Sequence, residues 1–281
     1  MQRTTVITGA SDGIGAAAAK MLAYPGDTLV VVGRSAEKTK AIAQELEADY
    51  FLADFTKLDD VRTLAAALAQ KYPRIDVLAN NAGGVMGHRE ITVDGHEKTF
   101  QVNHLAPFLL TTLLIEQLVA NRTTIINTSS NAHKIMSRFD IDDLDAKKRY
   151  RPNAAYGNAK LANILFTKEL NRRYGDHGVS AVAFHPGVVG SNFSSESVGP
   201  LKLAYGSFAK RFMLTPAEGA DTLVWLATTQ PGIDWTPGEY YARRKPVQPS
   251  REGQDAALAV QLWEHSAAMV AAGQGAGQES G

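Results

Sequence analysis

The stretch Thr4-Thr5-Val6-Ile7-Thr8-Gly9-Ala10-Ser11-Asp12-Gly13-Ile14-Gly15-Ala16-Ala17-Ala18-Ala19 decides the fold. Its first five residues are β-branched and read as a strand. A glycine turn follows, then an alanine-rich run with high helix propensity. In this order, a helix N-terminus presents its unpaired N–H groups to a pyrophosphate, which is the frame a dinucleotide site needs. Gly9 permits the tight turn, Gly13 lets the backbone approach the phosphates, and Gly15 lets helix and strand pack closely. The spacing is G-x-x-x-G-x-G rather than G-x-G-x-x-G.

Outward from this unit, the same alternation continues. Strand patterns fall at 29–32, 50–53, 77–79, 124–127 and 179–184, with a last one at 238–241. Helix patterns fall between them, including 56–72, 99–120 and 156–174, and a C-terminal one at 255–271. Thr56 with Asp59 reads as a capping box, and Thr215-Pro216-Ala217-Glu218 as a second helix start. The pattern predicts an α/β protein: one Rossmann-type doubly wound parallel sheet with helices on both faces. Residues 1–272 read as a single domain without repeats, and the glycine-rich tail 273–281 as disordered.

Composition excludes several classes. The chain has 281 residues, 29 basic against 29 acidic, so nothing points to nucleic acid or an anionic membrane. It has no cysteine, which removes disulfides, zinc thiolates and thiol catalysis. His96-Glu97 begins an H-E-x-x-H that fails at Phe100, and no metal site is expected. The basic run at 147–151 reads as a solvated loop. No apolar run approaches ~18 residues, and Met1-Gln2-Arg3 leads straight into the first strand. The expectation is a cytoplasmic protein without a membrane span.

A second constellation carries chemistry. In Ala155-Tyr156-Gly157-Asn158-Ala159-Lys160, the tyrosine and lysine share one helix face, one turn apart. A free phenol titrates near about 10, and a nearby ammonium favours the phenolate. The pair suits proton transfer at an alcohol or carbonyl oxygen.

Together with Asn80-Asn81-Ala82-Gly83, Val102-Asn103-His104-Leu105, Ser129-Ser130-Asn131-Ala132-His133 and Pro186-Gly187-Val188-Val189-Gly190-Ser191, these motifs resemble the short-chain dehydrogenase/reductase family. The likeness runs over about residues 2–245 and is greatest to the retinol-dehydrogenase-like branch. The resemblance implies an NAD(P)-dependent oxidoreductase with Asn103, Ser130, Tyr156 and Lys160 as its catalytic set. Tyr156 would be the acid-base and Ser130 a donor to the substrate oxygen, with Ser129 a competing candidate. Lys160 would tune the tyrosine and hold the nicotinamide ribose. Asn103 would fix a water chain to the lysine, or simply cap a buried helix end.

For the cofactor, the resemblance implies Gly9, Ser11, Asp12, Gly13, Ile14 and Gly15 at the pyrophosphate, and Asp54 and Phe55 at the adenine. Asn81, Ala82 and Gly83 would lie along the adenosine half. Tyr156 and Lys160 would meet the nicotinamide ribose, and Pro186, Gly187, Val189 and Ser191 the carboxamide. Strand two ends in Gly33-Arg34-Ser35, with an arginine suited to a 2′-phosphate and no carboxylate for a free ribose. NADP(H) is favoured over NAD(H), although the Asp12 carboxylate opposes a phosphate nearby. Apolar side chains in 131–153 and 192–214 (among them Ile135, Met136 and Phe139) either line a pocket for a lipophilic alcohol or carbonyl or pack a flap. Segment 192–214, with Gly190, Gly199 and Gly206 as hinges, reads as a lid. His185 reads as a packed neighbour. Relatives form dimers or tetramers through the Tyr156 helix, so a homo-oligomer is expected. The competing reading is a cofactor-binding sensor without turnover, against which the full catalytic set argues.

Overall fold

A computed structural model of the chain describes residues 2–189 and 213–272. Among the described residues, the strands are β1 (Thr4–Thr8), β2 (Thr28–Gly33), β3 (Asp49–Leu52), β4 (Val77–Asn80), β5 (Thr124–Thr128), β6 (Ser180–His185), β7 (Tyr240–Ala242) and β8 (Lys245–Pro246). They form one sheet in the order β3-β2-β1-β4-β5-β6-β7-β8. Only the β7–β8 pairing is antiparallel. The order reverses direction at β1, between β2 and β4. Open α/β sheets bind ligands at such a switch point, outside the carboxyl ends of the strands.

Among the described residues, the helices are α1 (Gly13–Leu22), α2 (Ala36–Leu46), α3 (Leu58–Lys71), α4 (Lys98–Phe100), α5 (Ala106–Leu113), α6 (Ile115–Asn121), α7 (Ala132–Ile135), α8 (Pro152–Tyr174), α9 (Pro216–Thr228) and α10 (Ala256–Ala272). Every residue of β1, β4 and β5 is buried, because both faces of the sheet are covered. Successive side chains point to opposite faces. Val6 thus packs under α3, α5, α8 and α10, while its neighbour Ile7 packs under α1, α2 and α9. Trp263, midway along α10, packs on Phe166 of α8 at 5.8 Å and on Phe108 of α5 at 5.1 Å. With α10 on its outer side, α8 is buried around most of its girth.

Two expectations are corrected. The Thr56–Asp59 capping box does not form: α3 starts one residue later, and the Leu58 N–H donates to Asp94 Oδ2 at 2.9 Å instead. Asp94 comes from a loop distant in sequence, so no local pattern announces it. The single helix expected over 99–120 is divided into α4, a π turn at Gln101–Leu105, α5 and α6. Pro107 has no N–H to give the carbonyl of Asn103, so the regular ladder cannot pass that point. Strand β8 and the short α7 were not expected. By contrast, the Thr215 capping box forms in full, with Glu218 reaching back to the Thr215 N–H at 2.7 Å.

Ser191, the expected lid up to residue 212 and the tail 273–281 lie outside the described residues. The lid's flanks do meet: the Leu214 N–H donates to Val188 O at 2.9 Å.

Candidate active site

A cleft of about 590 Å³ opens at the carboxyl ends of β1, β2, β4, β5 and β6. Its floor is the turn from β1 into α1. A Cβ on Gly15 would overlap the Gly9 carbonyl and stand 2.7 Å from Asn81 Nδ2, so only glycine fits. Thr8 holds this turn against the end of β4: its hydroxyl accepts the N–H groups of both Asn81 and Ala82 at 3.0 Å. The Asn81 side chain donates to Thr8 O at 3.1 Å and accepts from Thr128 Oγ at 3.3 Å. Asn81 therefore braces β1 against β5 while its residue lines the cleft. Asn80 is structural, bonded to Thr111 and Asn127.

At one end of the cleft stand Arg34, Asp54 and Phe55, as expected. Lys38, one turn beyond Arg34 on α2, lines it too. Its ammonium meets Asp12 Oδ2 at 2.6 Å, and Asp12 Oδ1 caps the α1 N-terminus by accepting from Gly13 N–H at 2.7 Å. The carboxylate expected to oppose a phosphate is thus paired with a cation.

At the other end, Ser130 and Tyr156 line the cleft wall. Both serines border the cleft. Ser129 is 1% exposed and its Oγ donates to Lys160 O at 2.7 Å, whereas Ser130 is half-buried. Ser130 Oγ accepts from the Ala132 N–H at 3.2 Å, which leaves its own proton to be directed outward. Lys160 lies behind the wall, 1% exposed, with Nζ 5.4 Å from the Tyr156 ring centroid and 3.3 Å from Thr128 O. Burial pushes the Lys160 ammonium down to about 7. A Cβ on Gly83 would overlap Asn103 Oδ1 and stand 3.2 Å from this ammonium, which is why the turn after β4 carries glycine there.

Asn103 is fully buried in the π turn. Its side chain clamps Gly84 from both atoms, at 3.1 and 2.9 Å. Its carbonyl, released by Pro107, accepts from Asn163 Nδ2 at 3.0 Å, and the same amide donates to Thr128 O at 3.0 Å. Asn103 and Lys160 are therefore joined through protein groups alone: Asn103 carbonyl, Asn163 amide, Thr128 carbonyl, Lys160 ammonium. His104 orients Asn163, with Nδ1 3.3 Å from its Oδ1, and Nε2 lies 2.9 Å from Ser266 Oγ on α10. Burial holds His104 down at about 4, so the ring is neutral and serves as a spacer.

Pro186, Gly187 and Val189 line the cleft after β6. His185 Nδ1 accepts from the Gly187 N–H at 3.0 Å, and burial, with smaller contributions from His133, Lys134 and Arg243, holds it down at about 4. It was expected as a packed neighbour, and it is half-buried and lines the cleft.

The family sequence pattern described as short chain dehydrogenase matches residues 3–199. The chain belongs to the short-chain dehydrogenase family. It is 44% identical over 275 residues to a protein of Streptomyces sp. (strain C5) named for daunorubicin C-13 ketoreduction, covering 95% of this chain and 92% of that one. It is 36% identical over 288 residues to human retinol dehydrogenase 13, covering 95% and 84%. A solved but uncharacterized protein from Mycobacterium paratuberculosis superposes with a TM-score of 0.77 at 32% identity, covering 96% and 94%. This short-chain dehydrogenase is accordingly an oxidoreductase of alcohol and carbonyl groups, within the retinol-dehydrogenase-like branch, on a fold that binds NAD(P).

The residues that sequence reasoning missed are Thr8, Lys38, His104 and Asn163. Two had signals: Lys38 falls one turn after Arg34, and Pro107 falls four residues after Asn103, the spacing at which a proline frees a carbonyl. Of the apolar residues expected in the pocket, Ile135 and Met136 line the cleft, but Phe139 packs against the core instead. Among the described residues, no cluster of side chains could hold a metal ion, and no single helix is long and apolar enough to cross a membrane.

Proposed function

We propose that this short-chain dehydrogenase interconverts a lipophilic alcohol and its ketone or aldehyde with NADP(H), using Tyr156 as the proton donor and acceptor. The observation that carries the reading is the shared cleft wall: Ser130 and Tyr156 face one space while the Lys160 ammonium sits buried 5.4 Å from the tyrosine ring. The nicotinamide supplies or accepts the hydride when bound. In the reducing direction Ser130 donates a hydrogen bond to the carbonyl oxygen and Tyr156 delivers the proton to it. Lys160, at the rear, offers positive charge as the phenol loses its proton. Asn103, through Asn163 and Thr128, holds the lysine in place.

Preference for NADP(H) rests on Arg34 and Lys38 at one end of the cleft, with Asp12 neutralised by Lys38. The substrate wall is apolar. Val85, Met86, Ile135, Met136 and Val188 line it, and Ile135 and Val188 are 71% and 61% exposed, uncovered on the cleft side. Such a wall suits a large hydrophobic carbonyl compound, and the names of the Streptomyces and human relatives point to polycyclic ketones and polyene aldehydes. We place the protein in the cytoplasm. A homodimer or homotetramer is part of the same proposal.

The test is NADPH oxidation, followed by absorbance, with daunorubicin, retinal and a panel of smaller ketones and aldehydes. Turnover of the bulky members above the small ones supports the reading. NADPH binding with no turnover of any member supports the sensor instead.

A further inference from the structure

His133 has no place in the reaction described above, yet its ring is 1% exposed and both its nitrogens are engaged. Nε2 lies 3.1 Å from the backbone N–H of Ser250, a group that can only donate, so Nε2 is the acceptor. The ring proton therefore resides on Nδ1, which donates to the Ser130 carbonyl at 2.6 Å. The His133 backbone N–H donates to the same carbonyl at 3.1 Å. The ring is also gripped from the side: it stands edge-on to Tyr240 of β7, with centroids 5.2 Å apart at 86°. Tyr240 in turn lies 5.8 Å from His185, whose Nδ1 holds the turn at Gly187.

We infer that His133 is a positioning residue for Ser130: it ties the catalytic serine's carbonyl to the segment ahead of α10, and so fixes the direction in which the serine hydroxyl points. Ser130 sits on a connection between β5 and the four-residue α7, which has too few backbone bonds to hold itself. Pinning the carbonyl sets the peptide that follows Ser130, while the Ala132 N–H engages its Oγ at 3.2 Å. With carbonyl and Oγ both held, the hydroxyl proton has one arc left, toward the cleft. The tie reaches a residue 117 positions away, so the C-terminal segment takes part in the geometry of the active site.

The inference rests on Ser130 as the substrate-oxygen donor, and the experiment separates the two. His133→Asn keeps an N–H near the Nδ1 position and loses the tie to Ser250. His133→Gln reaches Ser250 but has no donor for Ser130, and His133→Phe keeps only the ring against Tyr240. Each is compared with Ser130→Ala for kcat and for NADPH affinity by fluorescence titration. His133→Gln and His133→Phe are expected to lose about 10- to 100-fold in kcat, the scale of a misplaced catalytic group, with NADPH affinity unchanged. His133→Asn, which keeps the donor to Ser130 but lacks the anchor on Ser250, is expected to recover only part of that loss. Wild-type kcat in the Gln and Phe variants, or an Asn variant as slow as the Gln variant, overturns the positioning role while Ser130→Ala remains slow. A Ser130→Ala variant with wild-type turnover overturns the reading of Ser130 and this inference with it.

Discussion

The two ends of the cleft are built on opposite electrostatic plans. At the Arg34 end the charges are solvated: Lys38 and Asp12 pair with side chains 54% and 47% exposed. At the Tyr156 end the polar groups are taken out of water. Lys160, Asn103, His104 and Asn163 are each less than 5% exposed, and each is bonded to another buried group. Water screens the first set, so it can recognise a charged group but exerts little force on its neighbours. Low dielectric magnifies the second set, which is why burial holds Lys160 and His104 well below their ordinary values. On the function proposed above, the difference teaches that recognition is placed where charges are cheap to hold, and proton handling where each charge changes its neighbours.

The sharpest attempt to break this comparison is Tyr156→Phe. It removes one hydroxyl and keeps the ring in its cluster with Val85 and Ala132. Turnover should fall by roughly 10²–10⁴-fold, the range for a positioned acid-base, with NADPH affinity nearly unchanged. Near wild-type turnover in a variant that binds NADPH would end the mechanism.

Next in size is the pH dependence of stability that a buried amine creates. The unfolded chain holds the Lys160 proton up to about 10.4, whereas the folded chain releases it near about 7. Between those values the unfolded state binds more protons, so stability should rise with pH, with a slope of at most about 1.4 kcal/mol per pH unit from this residue. Below about 7 both states are protonated and the cost of the buried charge is fully present. Urea titrations of the cofactor-free protein at pH 7, 8 and 9, wild type against Lys160→Met, isolate the contribution. Parallel curves for the two proteins would show that Lys160 is not desolvated.

The Arg34 end should respond more gently. Arg34→Ala should raise KM for NADPH relative to NADH by about tenfold or more, the worth of a charged hydrogen bond to phosphate. An unchanged ratio in steady-state kinetics with both cofactors would remove Arg34 from cofactor selection.

The smallest expected effect comes from Asp12→Ser. Serine keeps a cap on α1 but releases Lys38 from its ion pair. KM for NADPH should fall by about two- to fivefold, as expected for an exposed pair, and KM for NADH should barely move. A rise in KM for NADPH would show that the Asp12–Lys38 pair assists phosphate binding instead.

Much of this protein was open to reading before any coordinates. The β1 turn, the parallel sheet and the Tyr156–Lys160 pair are encoded locally, in runs of a few residues whose period, glycine spacing and helical register are visible in order. The sequence, through the family likeness, favoured Ser130 over its neighbour Ser129, although adjacent residues differ only in which way the backbone turns them. Burial of the Ser129 hydroxyl against the Lys160 carbonyl supports that choice. The broken helix was misread for a related reason: Pro107 showed where the ladder fails, but not which group would take the freed Asn103 carbonyl.

By itself, then, the sequence determined the order of the elements, the glycine turn and the residue types able to move a proton. Tertiary structure alone decided that Asn163 joins Asn103 to Lys160, that Lys38 neutralises Asp12, that Asp94 caps α3, and that Ser250 sets the tautomer of His133. The physical reason is common to all four. A strand's period or a helix's spacing depends on neighbours along the chain. A hydrogen bond's partner and a buried group's pKa depend on which distant segments exclude water around it, and that is settled only when the sheet has brought them together.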